Sequence, residues 1–196
     1  MASHWTLVAY RTPAEPSTAR VTAWRALHRM GGLYLGPTVC LVPAPLADRD
    51  LLGRVRIRVE GSGGTFDVLD IAAFGADAEA ELRERYNAAR AAEYAEIVER
   101  ADAIVGELER EGRQDKFTYA EVEENEAGLT KIRQWLRRVS ARDLFGCDAR
   151  AGAEAAIARA DRRLTAFVDE AIAREAGSEP SADTGASGFR VVDGGR

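Results

Sequence analysis

The fold is decided by three stretches near the start of the chain: WTLVAYRTP (residues 5–13), STARVTAWRALH (residues 17–28) and LYLGPTVCLVP (residues 33–43). The first mixes aromatic and β-branched residues and stops at proline, which is typical of a strand entering a loop. In the second, Ser17 stands where a helix N-cap belongs, and apolar residues recur at helical spacing until Gly31. The third predicts a bent strand or a tight hairpin, because Gly36-Pro37 is a turn dipeptide.

A second helix and a final strand are predicted in residues 46–71. Apolar residues recur every three or four positions from Leu46, although residues 55–59 also alternate like a strand. A glycine-rich breaker at residues 61–64 ends either element, and residues 65–71 follow as a strand. The order is therefore β-α-β-β-α-β, which predicts a ferredoxin-like α+β domain over residues 1–75, with two helices on one face of an antiparallel sheet. The other face of the sheet must be covered by another part of the chain or take part in binding.

The composition shifts after residue 75 to alanine, glutamate and arginine. The apolar spacing predicts a helix of about thirty residues that ends near Gly112. Thr118 and Glu121 form a capping box for a second helix, and Asp148 is placed to cap a third. We therefore expect a three-helix antiparallel extension over residues 76–176, followed by a disordered polar tail over residues 177–196.

Composition and charge limit the classes of function. The chain has 196 residues, of which 46% are hydrophobic, and its formal net charge is −5. Residues 1–75 carry eight arginines against six carboxylates, a weak positive balance, so contact with a polyanion would depend on local arginine clusters. Cys40 and Cys147 show neither disulfide nor zinc spacing, and no apolar run is long enough to cross a membrane. These features predict a cytoplasmic protein without membrane contact.

Catalytic and cofactor motifs are scarce in the sequence. Its two histidines, His4 and His28, do not form a triad with a nucleophile, and no GxGxxG or Walker A pattern occurs. The acidic run of residues 121–126 has the composition of a cation site, but acids in the first helical turn are better explained by the helix dipole. We therefore expect no metal, no cofactor and no enzymatic activity.

Arginines are the best candidates for binding. Arg20, Arg25 and Arg29 flank Trp24 on the first helix, and a planar guanidinium pairs with phosphate or another oxyanion through two contacts. Trp24 itself is expected in the core, on an apolar stripe with Val21 and Leu27. A second basic group ends the helix that Thr118 caps; its members are Lys131, Arg133, Arg137, Arg138 and Arg142. Of these, Arg133, Arg137 and Arg138 are placed to share a surface.

The cysteines are predicted to lie in different environments. Cys40 stands between Val39 and Leu41 in a strand and should be a small buried hydrophobe. Cys147 stands in a loop before a helix and is expected to be exposed, where a lowered thiol pKa would open it to oxidation.

Several separated motifs also resemble one family. Their residues are Pro16–Leu27 with Gly31-Gly32, Val39–Pro43, Phe117–Glu126 and Trp135–Gly146. Over about residues 5–175 the chain resembles the N-terminal region of the chromate-resistance protein ChrB. The resemblance implies a cytoplasmic, chromate-responsive transcriptional regulator that binds DNA and is associated with a chromate efflux transporter. Within the matched motifs, the candidate contacts to DNA or oxyanion are Arg20, Arg25, Arg137, Arg138 and Arg142.

The chain departs from that family in two respects. Members commonly carry a further C-terminal domain, so sensing or output is expected to be incomplete or supplied by another protein. Position 40 holds cysteine where an aromatic residue is expected, which implies a smaller core contact or a redox role.

The sheet part is also similar to the Cas2-type fold in the middle of phenylacetate-pathway repressors. Nucleases of the Cas2 family place an acidic residue near the end of the first strand. Residues 10–13, Tyr-Arg-Thr-Pro, lack it, so nuclease activity is not expected.

Three function hypotheses follow. The leading one is a non-enzymatic regulator whose sheet domain forms a homodimer and whose arginine-bearing helices bind DNA, with chromate or a related oxyanion as effector. The alternative is a protein–protein interaction or dimerisation module that does not bind DNA, which the acidic net charge and the long helices favour. A metal-dependent nuclease or an oxyanion reductase is the third.

Overall fold

A computed structural model describes residues 5–15 and 17–178 of the chain. The described residues form four strands, five α-helices and one short 3₁₀ turn: β1 Trp5–Arg11, α1 Thr18–Arg29, β2 Leu33–Gly36, β3 Val39–Pro43, the 3₁₀ turn Ala44–Leu46, α2 Arg49–Gly61, β4 Thr65–Ile71, α3 Ala76–Arg113, α4 Tyr119–Ser140 and α5 Ala149–Ser178. The start of the disordered tail was predicted two residues too early, at residue 177, because α5 extends through Ser178. Its remaining residues, 179–196, and His4 lie outside the described part.

The four strands form one antiparallel sheet in the order β2-β3-β1-β4. The mixed α and β architecture predicted from the sequence is therefore confirmed. Strands β2 and β3 pair as a hairpin, with Tyr34 opposite Cys40, which decides between the two interpretations of that segment. Strand β1 is central, and its residues are buried towards both faces of the sheet.

Helix α2 continues through residues 55–59, where the sequence also allowed a strand. Asp48 caps its start, because Oδ1 accepts a hydrogen bond from the backbone N–H of Leu51 at 2.9 Å. Leu52, Val55 and Val59 then recur at helical spacing and are all buried. Burial of this apolar stripe favours the helix over the alternating pattern.

Helices α1 and α2 pack on the same core as one face of the sheet, through Val8, Cys40 and Phe66. Helix α1 contributes small side chains to this core, and the buried ones are Ala19, Ala23, Ala26 and Leu27. The prediction that Trp24 and Val21 lie in the core is therefore wrong. Alanines allow a helix to approach a sheet closely, so the bulkier side chains turn outward, and Trp24 is 50% exposed.

The second face of the sheet is partly covered by α3. Trp5 and Leu41 pack there against Leu82 and Tyr86 from the first three turns of that helix, and Phe145 from the loop before α5 joins them. The Trp5 ring centroid lies 5.9 Å from that of Tyr86. Further along this face, Leu69 remains exposed.

Helices α3, α4 and α5 share a core of their own. Its buried residues are Tyr94, Ile97, Ala101, Leu129, Ile132, Val139, Cys147, Ala153, Ala156, Ile157 and Ala160. Helix α4 begins as predicted, because Thr118 Oγ1 accepts a hydrogen bond from the backbone N–H of Glu121 at 3.3 Å. Among the described residues, none of the helices combines the length and apolar character needed to cross a membrane.

Cys147 is buried in this core, so the prediction that it is exposed is wrong. Gly146, which precedes it, has a φ of +72°, a left-handed conformation that turns the chain inward. The backbone N–H of Cys147 donates to Asp143 Oδ1 at 2.9 Å, and its Sγ lies 3.7 Å from the carbonyl oxygen of Asn87. The predicted oxidation site is thus shielded from solvent.

Candidate functional site

The exposed side of α1 and the C-terminal end of α4 enclose a cleft of about 930 Å³. Arg25 and Arg29 line it from α1, and Arg138 lines it from α4. These arginines were predicted as two separate groups more than a hundred residues apart. The fold brings them to one surface, where their charges add.

The other predicted arginines are placed differently. Arg20 lines a neighbouring cavity of about 480 Å³ with Tyr10 and Tyr34, and its guanidinium donates to the carbonyl oxygen of Ala14 at 3.3 Å. Arg137 is exposed on α4 and does not line the cleft. Arg133, which was expected to share a surface with it, forms an ion pair with Asp161 of α5.

Arg142 is a buried residue that lines the cleft, and each nitrogen of its guanidinium contacts the protein. Its Nη2 contacts Glu93 Oε2 at 2.6 Å, and its Nη1 donates to the carbonyl oxygen of His28 at 2.9 Å. Its Nε donates to the carbonyl oxygen of Arg138 at 3.0 Å. Arg142 therefore joins α1, α3 and α4, and these three contacts position the cleft.

Beneath Arg142 is a buried charge cluster that the sequence analysis missed. Arg90 is only 3% exposed, its Nη2 lies 2.8 Å from Glu93 Oε1, and its guanidinium carbon lies 4.9 Å from the centre of the Tyr86 ring. Among the described residues its Nε and Nη1 have no hydrogen-bond partner. Glu93 thus contacts two guanidiniums, which leaves positive charge under the cleft.

Aromatic rings line the cleft together with the arginines. Trp24 and His28 stack on each other, with ring centroids 5.3 Å apart and planes inclined by 12°, and Trp135 lines the cleft from α4. Burial lowers the pKa of His28 below its ordinary value of 6.5; Arg142 and Arg90 lower it further, and Glu93 opposes them. The imidazole is therefore neutral near pH 7.

The predicted acidic run is divided between two environments at the opposite end of α4. Glu121 and Glu124 line a small cavity with Glu107 and Glu111 of α3, whereas Glu123 accepts a hydrogen bond from the Tyr119 hydroxyl at 3.1 Å. No group of three or more histidine, cysteine or acidic side chains is arranged to hold a metal ion in the part of the chain that the structure describes.

This acidic cavity predicts a pH dependence of stability. Burial, aided by Glu121 and Glu107, raises the pKa of Glu111 from 4.5 to about 7. A raised pKa in the folded state gives stability that is complete below about pH 4.5 and lost as pH rises through about 7. We expect the melting temperature to fall between pH 6 and pH 8, and Glu111→Gln to reduce that fall by a few degrees. Thermal unfolding across this range tests it.

The matched control for this experiment is Glu126→Gln. Glu126 is exposed on the neighbouring helix α4 and does not line the acidic cavity, so its variant should keep the pH dependence of the wild type. Equal slopes for the wild type and Glu111→Gln would show that Glu111 is ionised in the folded protein throughout this range.

Cys40 is completely buried, as predicted. Burial raises the pKa of its thiol to about 12, so the reactive thiolate is absent near neutral pH. A Cβ atom on Gly32 would lie only 2.5 Å from the Sγ of Cys40. The hairpin therefore approaches the end of α1 too closely for any residue but glycine at position 32. Of the two explanations for a cysteine in place of an aromatic residue, this close packing favours the smaller core contact over the redox role.

A family model covers most of the chain. A model of the family described as "Protein ChrB, N-terminal" matches residues 20–178, which include both sides of the cleft. Searches of the curated proteins and of the solved structures returned no match.

Proposed function

Because this chain belongs to the family of the ChrB N-terminal region, with its association with chromate resistance, we propose that it is a non-enzymatic, chromate-responsive transcriptional regulator. It binds DNA through the cleft between α1 and α4. The observation that carries the proposal is the meeting of Arg25 and Arg29 with Arg138 at one exposed surface.

The arrangement suits a phosphate backbone. Arg25 and Arg29 are four residues apart on α1 and therefore project from the same side of the helix. Guanidiniums bind phosphate oxygens through two parallel hydrogen bonds, and such contacts supply most of the sequence-independent affinity for DNA. The net charge of −5 does not oppose this, since the acidic cavity lies at the other end of α4.

Chromate or a related oxyanion is proposed as the effector of the same surface. A tetrahedral dianion presents oxygens to guanidiniums as a phosphate does, so it would compete with DNA for Arg25 and Arg29 or change their positions. In either case the effector and DNA are coupled thermodynamically, and each changes the affinity for the other by the same factor.

The proposal includes a cytoplasmic homodimer that needs no cofactor and has no membrane contact. It also includes a ferredoxin-like sheet domain with a three-helix antiparallel extension. The strand order β2-β3-β1-β4 and the common core of α3, α4 and α5 support this fold. The dimer is supported by Leu35 and Leu69, which are exposed on the sheet, because exposed large apolar side chains favour contact with a partner.

The test measures binding of the purified protein to duplex promoter DNA of a chromate-resistance operon by fluorescence anisotropy, at several salt concentrations. We expect the Arg25→Ala, Arg29→Ala, Arg138→Ala triple variant to lose about 100-fold in affinity at about 100 mM salt. The slope of log affinity against log salt should fall by about 0.9 for each lost phosphate contact.

A triple variant of equal charge is the control. Arg54, Arg58 and Arg113 are exposed and do not line the cleft, so their replacement by alanine changes the net charge equally. This control should keep most of the affinity. If both triple variants bind alike, the attraction is a general effect of charge and the cleft is not the DNA site.

The alternative function is a protein–protein interaction module, which the same exposed Leu35 and Leu69 favour. Light scattering combined with capture from a lysate distinguishes the two functions. A stable complex with another protein, together with no binding of duplex DNA at low salt, would support the alternative.

A further inference from the structure

The feature that the proposed duplex contact leaves unexplained is the exposed aromatic pair of Trp24 and His28. Trp24 is half exposed although it is the largest side chain of α1, and it stacks on the imidazole of His28. Leaving so much apolar ring in water forgoes the stabilisation that burial would give. Tryptophan is enriched at interfaces, where its ring contacts a partner.

The cleft beside this pair combines three kinds of side chain. Trp24 and His28 provide ring surface from α1, and Trp135 adds an indole from α4. Arg25, Arg29 and Arg138 provide the positive charge described above. Among the other lining residues, Met30, Leu46, Leu51 and Ala141 are apolar, Asp48 caps α2 with its carboxylate, and Arg142 is held by the contacts described above.

We propose that this cleft binds one unpaired nucleobase together with its phosphate. The base stacks on the ring surface offered by Trp24 and Trp135, and the phosphate pairs with the arginines. A volume of about 930 Å³ is within the range of small-ligand pockets. The proposal rests on the proposed function, because it keeps the phosphate as the partner of the arginines and adds what the aromatic rings do.

A paired base does not fit this role. In a duplex both faces of each base are covered by neighbouring base pairs, so an aromatic side chain stacks on a base only where the base is unstacked. The neutral imidazole of His28 is consistent with stacking on an uncharged base. The ligand is therefore a free nucleotide or an unpaired nucleotide of a DNA strand, and the two sources present the same chemistry.

The first experiment separates the base from the phosphate by calorimetry on the full chain. The probes are AMP, ribose 5-phosphate and inorganic phosphate, together with a short single-stranded oligonucleotide and its duplex. Stacking of a base on an aromatic side chain is expected to make AMP bind about tenfold tighter than ribose 5-phosphate. An oligonucleotide that binds where AMP does not would identify single-stranded DNA as the source.

The second experiment removes the ring. Trp24→Ala should reduce binding of AMP or of the single strand about tenfold, and Trp24→Phe should retain most of it. Because Trp24 is half exposed, its replacement should leave the fold intact, which a melting curve verifies. Tyr119→Ala is the matched control, since Tyr119 is an exposed aromatic residue near the other end of α4.

The inference is overturned if AMP and ribose 5-phosphate bind equally and the single strand binds no better than the duplex, or if Trp24→Ala binds every probe like the wild type. The proposed function fails on a different measurement, the loss of duplex affinity in the arginine variant. Binding of AMP that depends on Trp24, without binding of duplex promoter DNA, would retain the nucleotide site and reject the regulator.

Discussion

Replacing Glu93 by alanine should lower the free energy of unfolding by about 3–5 kcal/mol, the usual cost of breaking a buried ion pair. Glu93 lies 2.8 Å from Arg90 and 2.6 Å from Arg142, and both arginines are buried. Without the carboxylate, two guanidiniums remain in a poorly solvated site with no countercharge. At roughly 2–4 °C per kcal/mol for a chain of this size, the melting temperature should fall by about 10 °C.

Urea denaturation and thermal unfolding measure this effect, and Glu96→Ala is the matched control. Glu96 is exposed on the same helix, three residues further along, so its variant should stay within about 0.5 kcal/mol of the wild type. A Glu93→Ala protein as stable as this control would mean that solvent reaches Arg90 and Arg142.

Replacing Trp5 by alanine is expected to cost about 3–5 kcal/mol, the usual penalty for emptying a large buried aromatic site. Trp5 is completely buried between the sheet and α3, and its ring centroid lies 5.8 Å from that of Phe145 and 5.9 Å from that of Tyr86. The cavity would loosen the contact between the sheet and the helical part. Chemical denaturation followed by circular dichroism measures the loss.

Trp5→Phe separates packing from hydrogen bonding at this position. The indole N–H of Trp5 is buried without a partner among the described residues, and phenylalanine removes that unsatisfied donor. This variant should therefore lose much less than Trp5→Ala, by about 1 kcal/mol. Equal losses for the two variants would show that the indole N–H makes a favourable contact.

The regular elements were predictable because local chemistry decides them. The breaker at residues 61–64 and the cap provided by Thr118 lie where the structure ends α2 and begins α4. The cap that Asp48 provides for α2 was not predicted. The apolar spacing of α3 also indicated its end near Gly112, within one residue, although the helix has 38 residues where about thirty were predicted. Caps and breakers act on residues only a few positions away, so their effect can be predicted from the sequence.

The side that each residue faces was harder to predict. Trp24 occupies a position on α1 that is apolar by spacing, yet the alanines on a neighbouring side make the closer contact with the sheet. Size and hydrophobicity favour burial of tryptophan, but the sequence does not reveal which face the sheet offers to the helix. The exposed ring of the candidate site was missed for this reason.

The charge cluster could have been recognised. Arg90 falls on the buried stripe of α3, four residues after Tyr86 and four before Tyr94. A charged residue on an apolar stripe must find a partner, and Glu93, one turn further on, is its neighbour on the helix. The second partner of Glu93 is Arg142, which lies 49 residues further along the chain and is brought to Glu93 by the tertiary fold.

Helix α3 has a practical consequence for anyone who wishes to shorten the protein. At 38 residues it is about 57 Å long, and its first turns cover Trp5 and Leu41 while later turns join the core of the helical part. A fragment that ended at residue 75 would expose the indole of Trp5 and its apolar neighbours to water and should aggregate. The smallest piece worth expressing keeps at least the first three turns of this helix.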